Sequence, residues 1–353
     1  MKRFDLTRFY FDPKADIKKY AANYFLKSQA IVAKHLPGNI VTMQFFQRAN
    51  NAMLCGIDEV LSLIKTYAIK PLELEIYALH DGDIIKNQEP VLLIKGKYEN
   101  FGFLESIIDG ILSRRTAVAT NTRRILRAAA PIPVFSMADR QDDPLTQRGD
   151  GYASYVAGIR KFSTDEQGAL MGIKGMGTMP HALIQVCGGD VIKAAKLYHE
   201  TYPKEAVTAL VDYHNDVIND TLSLARALKG HLGAVRIDTS ISLIDAYFER
   251  INEVKPENYG VSPKLIKALR SVLDEAGFLE VKIIVSSGFS PTKIRQFKKL
   301  GVPVDLYGVG SYIIKNSTSS FTGDLVMLNG RNEAKVGRKL MPNKRLVRVN
   351  LND

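Results

Sequence analysis

His181 follows Gly175-Met176-Gly177-Thr178-Met179-Pro180, a glycine-bounded turn that opens into an apolar run. Amides at a helix start favour negative charge, so a histidine placed there is positioned to meet phosphate. Taken alone, such a histidine is more often a helix-start or core residue satisfied by a backbone hydrogen bond. Two apolar runs downstream close on carboxylates, AVTALVD on Asp212 and AVRID on Asp238. Arg236 precedes Asp238 by two residues and so lies on the same side of its strand. Two carboxylates at one mouth hold a divalent cation or sugar hydroxyls, whereas each alone is also a plausible N-cap of the next helix. VKIIVSSGFSPTKI and VDLYGVGSY then set Ser286-Ser287-Gly288 and Gly308-Val309-Gly310-Ser311 at successive strand ends. Paired glycine turns of this kind present backbone N–H groups to phosphate. A planar bidentate fork for phosphate or carboxylate requires arginine. Arg140 follows the run PIPVFSM, and Arg114-Arg115 precede Thr116 and Thr120 on a long amphipathic stretch. Asp139, Asp142 and Asp143 beside Arg140 are ion-pair partners or cation ligands, a choice the sequence leaves open.

These residues need a scaffold that gathers strand ends. From about residue 130, short β-branched runs alternate with helical stretches such as DVIKAAKLYH, DVINDTLSLARAL and SPKLIKALRSVLDEAG. That alternation predicts a parallel sheet, and the number of β/α units without an early G-x-G-x-x-G predicts an irregular β/α barrel. Reactive groups in such a barrel sit at the C-terminal strand ends, where Arg140, Asp212, Asp238, Ser287 and Gly308 fall. Before it, DIKKYAANYFLKSQAIVAKH and GIDEVLSLIKTYA read as helices, and ELEIYAL and PVLLIKG as strands. The fold class is therefore α/β, with an N-terminal α/β sandwich-like domain over 1–110, the barrel over 111–318, and a C-terminal segment over 319–353. Its alternating LVRVNL is expected to rejoin the N-terminal sheet. FLESIIDGILSRRTAVATNTRRILRAA, one helix or two, links the domains.

A chain of 353 residues with 46% hydrophobic residues buries a large core. No apolar run of membrane-spanning length and no secretory leader is evident, so a cytoplasmic protein with no membrane partner is expected. Cys55 and Cys187 are too few for a disulfide framework, lack zinc-site spacing, and read as buried thiols. The net charge of +11 suits nucleic acid or small polyanionic substrates, since a basic cleft concentrates either. No aromatic-interleaved basic motif of a nucleic-acid binder appears, and basic runs such as RQFKKL read as solvated charge.

In order, KKYAANYFLKS, ILSRRTAVATN, FSMADR, GMGTMPHALI, LVDYHND, VRIDTS, VSSGFSPTKI and VDLYGVGSY resemble the nicotinate phosphoribosyltransferase family over nearly the whole chain. Quinolinate phosphoribosyltransferases share its architecture. The resemblance implies transfer of 5-phosphoribosyl from phosphoribosyl pyrophosphate to nicotinate, giving nicotinate mononucleotide and pyrophosphate in NAD salvage, with Mg2+ and with ATP as co-substrate. It implies that His181 is a phosphohistidine, that Asp238 lies near the ribose and metal, and that Arg140 faces substrate phosphate or carboxylate. Ser287, Gly288, Gly308 and Gly310 would bind the 5′-phosphate. Arg115, Thr178, Asp212 and Arg236 complete the substrate-binding set. Tyr24 would stack on the pyridine ring, across the interface of a homodimer or higher homo-oligomer. Ala21-Ala22 departs from a family Thr-Asp, and Asp139 to Pro144 departs from paired arginines followed by His-Pro. Those departures keep two alternatives in view: a decarboxylating quinolinate enzyme and a non-catalytic phosphosugar-binding homologue.

Overall fold

The computed structural model describes residues 3–315 and 320–351. The chain forms two compact units, one of Met1–Arg123, Arg148–Gly158 and Ile314–Asp353, the other of Arg124–Gln147 and Ile159–Ile313. The long amphipathic stretch is a single helix, Glu105–Ala129, and the division falls within it. A boundary at 110 therefore cuts inside that helix, and one at 318 lies outside the described residues.

The first unit is built on a six-stranded antiparallel sheet, ordered Arg331–Asn332, Thr322–Leu328, Ile40–Phe46, Leu92–Lys97, Glu75–Ala78, Val347–Val349. Both ends of the order come from the C-terminal segment, and Val347 to Val349 pair with Ala78 to Ile76. Period-2 alternation shows in Glu75–Ala78, where Ile76 and Ala78 are buried and Glu75 and Tyr77 are half-buried. Helix Ile57–Tyr67 buries Ile57, Val60, Leu61 and Ile64, a 3- and 4-residue spacing that faces one core. Each such side chain contributes roughly 1.5–3 kcal/mol on leaving water. The central Ile40–Phe46 strand has no counterpart in the sequence reading. Gln44, 1% exposed, interrupts its apolar run, and its side chain is satisfied from far along the chain: Nε2 donates to the Lys339 carbonyl and Oε1 accepts from Met341 N–H.

The second unit holds five parallel strands, Val134–Ser136, Val207–Leu210, Leu232–Ile237, Lys282–Val285 and Leu306–Val309, the first to fifth in chain order. They lie side by side as first, fifth, fourth, third, second. This is the cyclic order of a barrel, interrupted between the first and second strands, and it makes the unit an irregular α/β barrel. Helices Val191–Thr201, Val217–Leu228, Pro263–Glu275 and Pro291–Lys299 follow the expected stretches. Covered strands read as near-continuous apolar runs, as in Ile283, Ile284 and Val285, all buried. At the interruption a bridge joins Ser136 to Phe162, and Ser163 N–H donates to the Ser136 carbonyl at 3.0 Å. Among the described residues no helix is long and apolar enough to cross a membrane. Cys55 is buried as expected, but Cys187 is only half-buried, because the helix it ends, His181–Val186, is short and surface-lying.

Candidate active site

The C-terminal ends of the parallel strands open into a cleft of 700 Å³ within the second unit. Arg140, Thr178, His181, Arg236, Asp238, Ser287, Gly288, Gly308 and Gly310 all line it. The loop bearing His181 is pinned at both ends. Gly175 passes so close to the Thr164–Asp165 backbone that a Cβ would fall 2.6 Å from the Thr164 carbonyl carbon, and its N–H donates to Asp165 Oδ1 at 2.8 Å. Met176 N–H donates to the Phe162 carbonyl at 2.7 Å, and Met179 is fully buried. His181 then opens its helix after Pro180.

His181 Nε2 and Asp212 Oδ1 lie 3.1 Å apart. A carboxylate only accepts, so Nε2 carries the proton and the neutral ring leaves Nδ1 with a lone pair. The hydrogen bond to Asp212 raises the His181 pKa against partial burial, and Asp238 adds to it. Asp212 and Asp238 are not helix N-caps: Asp216 caps Val217–Leu228 and Asp245 caps Ala246–Arg250. Asp238 lines the cleft itself, whereas Asp212 is tied to it through His181. Asp238 Oδ1 accepts from Ser286 Oγ at 2.8 Å.

Arg236 is 9% exposed, and its Nη1 donates to Thr178 Oγ1 at 2.8 Å. Its buried Nε meets no acceptor among the described residues, and neither Asp212 nor Asp238 closes an ion pair with it there. Burial lowers its pKa while both carboxylates oppose the shift. Guanidinium keeps its charge regardless, so the site holds an under-partnered cation. Arg140 lines the same cleft from an exposed position.

The two glycine turns differ in kind. Ser287 and Gly288 take φ of 72° and 68°, successive left-handed residues that turn the chain after the fourth strand. Such strain in a non-glycine residue gathers at functional turns. Lys293 Nζ reaches back to the Ser287 carbonyl at 3.3 Å and lies 4.4 Å from the Phe289 ring centroid, and burial lowers its pKa. Gly308 and Gly310 are needed for closeness instead: Cβ atoms there would fall 2.6 Å from Met137 Sδ and 2.6 Å from the Met137 carbonyl oxygen.

The acidic run after the first strand resolves into separate roles. Asp139 Oδ1 accepts from Ser163 Oγ at 2.8 Å, Asp143 Oδ1 accepts from Leu145 N–H at 2.8 Å, and Asp142 Oδ1 accepts from Asp143 N–H at 2.8 Å. Arg115 and Tyr24 belong to the first unit. Arg115 is committed there: Nε and Nη2 bond Glu59 at 2.7 and 3.0 Å, and Nη1 bonds Asp150 at 3.2 Å. Tyr24 is 64% exposed near the start of helix Asn23–His35, its ring 4.3 Å from that of Phe25.

Ser286 as the partner of Asp238, Ser163 and Lys293 carried no assignment from the sequence. Register would have found the first, because Ile237 pairs with Val285 and the next positions are Asp238 and Ser286. Lys293 sits one turn inside the helix that Ser290 caps, and its backward reach to the Ser287 carbonyl has no local signal in the sequence. Ser163 arrives only through the bridge beside the first strand, for which no local signal exists.

Among the described residues no group of three or more His, Cys, Asp or Glu side chains is arranged to hold a metal. Magnesium does not demand one, since it binds through one or two carboxylates together with substrate phosphates. Asp238 suits that pattern: Ser286 occupies Oδ1, and Oδ2 faces no partner among the described residues.

Two family models match the chain, one described as quinolinate phosphoribosyl transferase, N-terminal domain, over residues 20–116, the other as its C-terminal domain, over residues 118–321. A nicotinate phosphoribosyltransferase of Bacillus subtilis (strain 168) is 28% identical over 240 residues, 67% of this chain and 45% of its own length. One from Mycobacterium tuberculosis is 26% identical over 259 residues, 71% of this chain and 53% of its own. The chain thus spans about half the length of these curated relatives. The crystal structure of nicotinate-nucleotide pyrophosphorylase from Pyrococcus furiosus matches with a TM-score of 0.79 and 30% identity, over 100% of this chain and 87% of that one. Human nicotinic acid phosphoribosyltransferase matches with a TM-score of 0.69 at 16% identity, over 90% and 76%, a likeness of fold alone.

Proposed function

The chain belongs to the quinolinate phosphoribosyl transferase family, and from that premise we propose that it is an ATP-coupled nicotinate phosphoribosyltransferase of NAD salvage. The observation that carries the proposal is the pairing, in one cleft, of an Arg236 whose buried Nε meets no acceptor among the described residues with a His181 held through Nε2 by Asp212. The curated nicotinate phosphoribosyltransferases among its relatives support the choice of base.

In this reading the Ser287–Gly288 turn and the backbone at Gly308 to Gly310 receive the 5′-phosphate, and Arg236 with Arg140 takes the diphosphate and the nicotinate carboxylate. The pyridine nitrogen attacks the anomeric carbon with its lone pair as the C–O bond to pyrophosphate breaks. Pyrophosphate leaves with the electron pair of the broken C–O bond. Charge of the oxocarbenium kind develops at the anomeric carbon, and Asp238, fixed by Ser286, is the carboxylate placed to stabilise it. Magnesium, held by Asp238, would supply charge neutralisation for the departing diphosphate. For ATP coupling, His181 Nδ1 attacks the γ-phosphorus and ADP leaves, while the Nε2–H bond to Asp212 keeps the ring in its tautomer and supports the added charge. Tyr24 stacks on the pyridine ring of a partner subunit's site in a homo-oligomer.

A second reading, decarboxylating transfer to quinolinate, is favoured by the presence of two guanidinium groups in the cleft, enough for two carboxylates. The test supplies phosphoribosyl pyrophosphate with nicotinate, quinolinate or nicotinamide, each with and without ATP. Nicotinate mononucleotide formed from nicotinate and accelerated by ATP is the expected product. Turnover of quinolinate alone, with loss of CO2, selects the second reading, and no turnover of any base overturns both.

A further inference from the structure

Two basic stretches of the sequence, RRILR and RQFKKL, take no part in the cleft, yet the second unit brings them together. The end of helix Glu105–Ala129 and the helix Pro291–Lys299 line a separate cavity of 610 Å³ that shares no lining residue with the cleft. Arg124 and Arg127 face it from the first helix, Arg295 and Lys298 from the second, and Thr292 and Tyr312 complete the wall. Lys298 donates to the carbonyl of Ala130, just past the end of the first helix, and Arg295 Nη2 donates to Thr292 Oγ1 at 3.3 Å.

The arrangement lacks a counter-charge. No aspartate or glutamate lines the cavity, and among the described residues none of its four cations forms an ion pair. Arg250 and Arg270 of the same unit, by contrast, are paired, with Asp216 and Asp274. Gathering four like charges around one hollow raises the energy of the folded state unless an anion relieves it. Guanidinium forks match phosphate oxygens two at a time, and the volume lies in the range of small-ligand sites, roughly 300–1,000 Å³.

We propose that this groove binds a small oligophosphate, the chemistry shared by inorganic polyphosphate and the phosphate chain of a nucleotide, at a site distinct from the catalytic cleft. A nucleotide would add its base on the ring of Tyr312, which inorganic polyphosphate does not use.

Calorimetric titration of the full chain with inorganic tripolyphosphate tests the proposal. It is run on the wild type, on Arg236→Ala to disable the cleft, and on the Arg127→Ala/Arg295→Ala double variant, both of whose positions are exposed. The groove site is expected to persist in Arg236→Ala and to weaken at least about tenfold in the double variant, from the loss of two charged hydrogen-bonding groups. ATP binding equal to tripolyphosphate assigns the site to the phosphate chain alone. Tighter ATP binding that Tyr312→Ala removes assigns it to a nucleotide. Binding that Arg236→Ala abolishes entirely, or that the double variant retains unchanged, overturns the proposal. So does a short RNA that binds more tightly than tripolyphosphate and is lost in the double variant. The readout is binding, so it stands whether or not phosphoribosyl transfer is observed.

Discussion

Arg115 in the first unit and Arg236 in the second are both largely buried arginines flanked by two carboxylates, and they are used in opposite ways. Arg115 is saturated, with three of its nitrogens on Glu59 and Asp150. Its guanidinium is also walled in, since a Cβ on Gly149 would fall 1.9 Å from its Cζ. Among the described residues Arg236 bonds the Thr178 side chain alone, and its Nε meets no acceptor. The difference separates structure from chemistry more sharply than residue type or burial does. A closed ion network stabilises a unit, whereas an incomplete one has affinity left for a ligand.

The largest effect expected from breaking this contrast is on stability. Arg115→Met strands Glu59 and half of the Asp150 pairing, and should lower unfolding free energy by about 3–5 kcal/mol in urea titrations. Arg236→Met should instead leave stability within about 1 kcal/mol and reduce kcat/KM for phosphoribosyl pyrophosphate by about 10²–10³-fold, the scale of losing one oriented charge-stabilising donor. If the two variants exchange these phenotypes, the contrast is wrong.

Lys293→Met sharpens the second half of the comparison. Its ammonium holds the strained Ser287 carbonyl without lining the cleft. Loss should raise KM for phosphoribosyl pyrophosphate about tenfold with little change in kcat, as expected when a positioning contact made alike in ground and transition states is removed.

A pH effect belongs to the first unit. Burial, with Asp109 and Asp324 nearby, pushes Glu105 up to about 8, and burial pushes Asp109 up to about 6. Both pKa values are raised on folding, so their contribution to stability is complete below about pH 4 and is lost as pH rises towards 8. Glu105→Gln should flatten that decline and add about 2 kcal/mol at pH 8.5, read by thermal or urea unfolding across pH. The smallest effect is at Ala22, the N-cap of helix Asn23–His35, which has no side chain to bond its first amides. Ala22→Ser should stabilise the first unit by about 0.5–1 kcal/mol in the same assay.

Much of the second unit was legible because its signals are local. Apolar runs ended in polar residues, capped helices followed, and strand parity put Arg236 and Asp238 on one side. The cyclic strand order, by contrast, depends on which edges pair, and the Ser136–Phe162 bridge that delivers Ser163 joins residues far apart in sequence. The Ile40–Phe46 strand was hidden by Gln44, whose partners lie some three hundred residues away. Arg115 shows the other limit. Its residue type and its place in a motif suggested substrate, but only the geometry of Glu59 and Asp150 reveals that its donors are already engaged.

The most direct test of the account is pyrophosphate release from phosphoribosyl pyrophosphate, followed in wild type and His181→Ala with nicotinate present or withheld and ATP present or withheld. Release is expected to require nicotinate, to be accelerated by ATP in the wild type, and to lose only the ATP acceleration in His181→Ala. Release that is independent of nicotinate, or ATP acceleration that survives in His181→Ala, would contradict it.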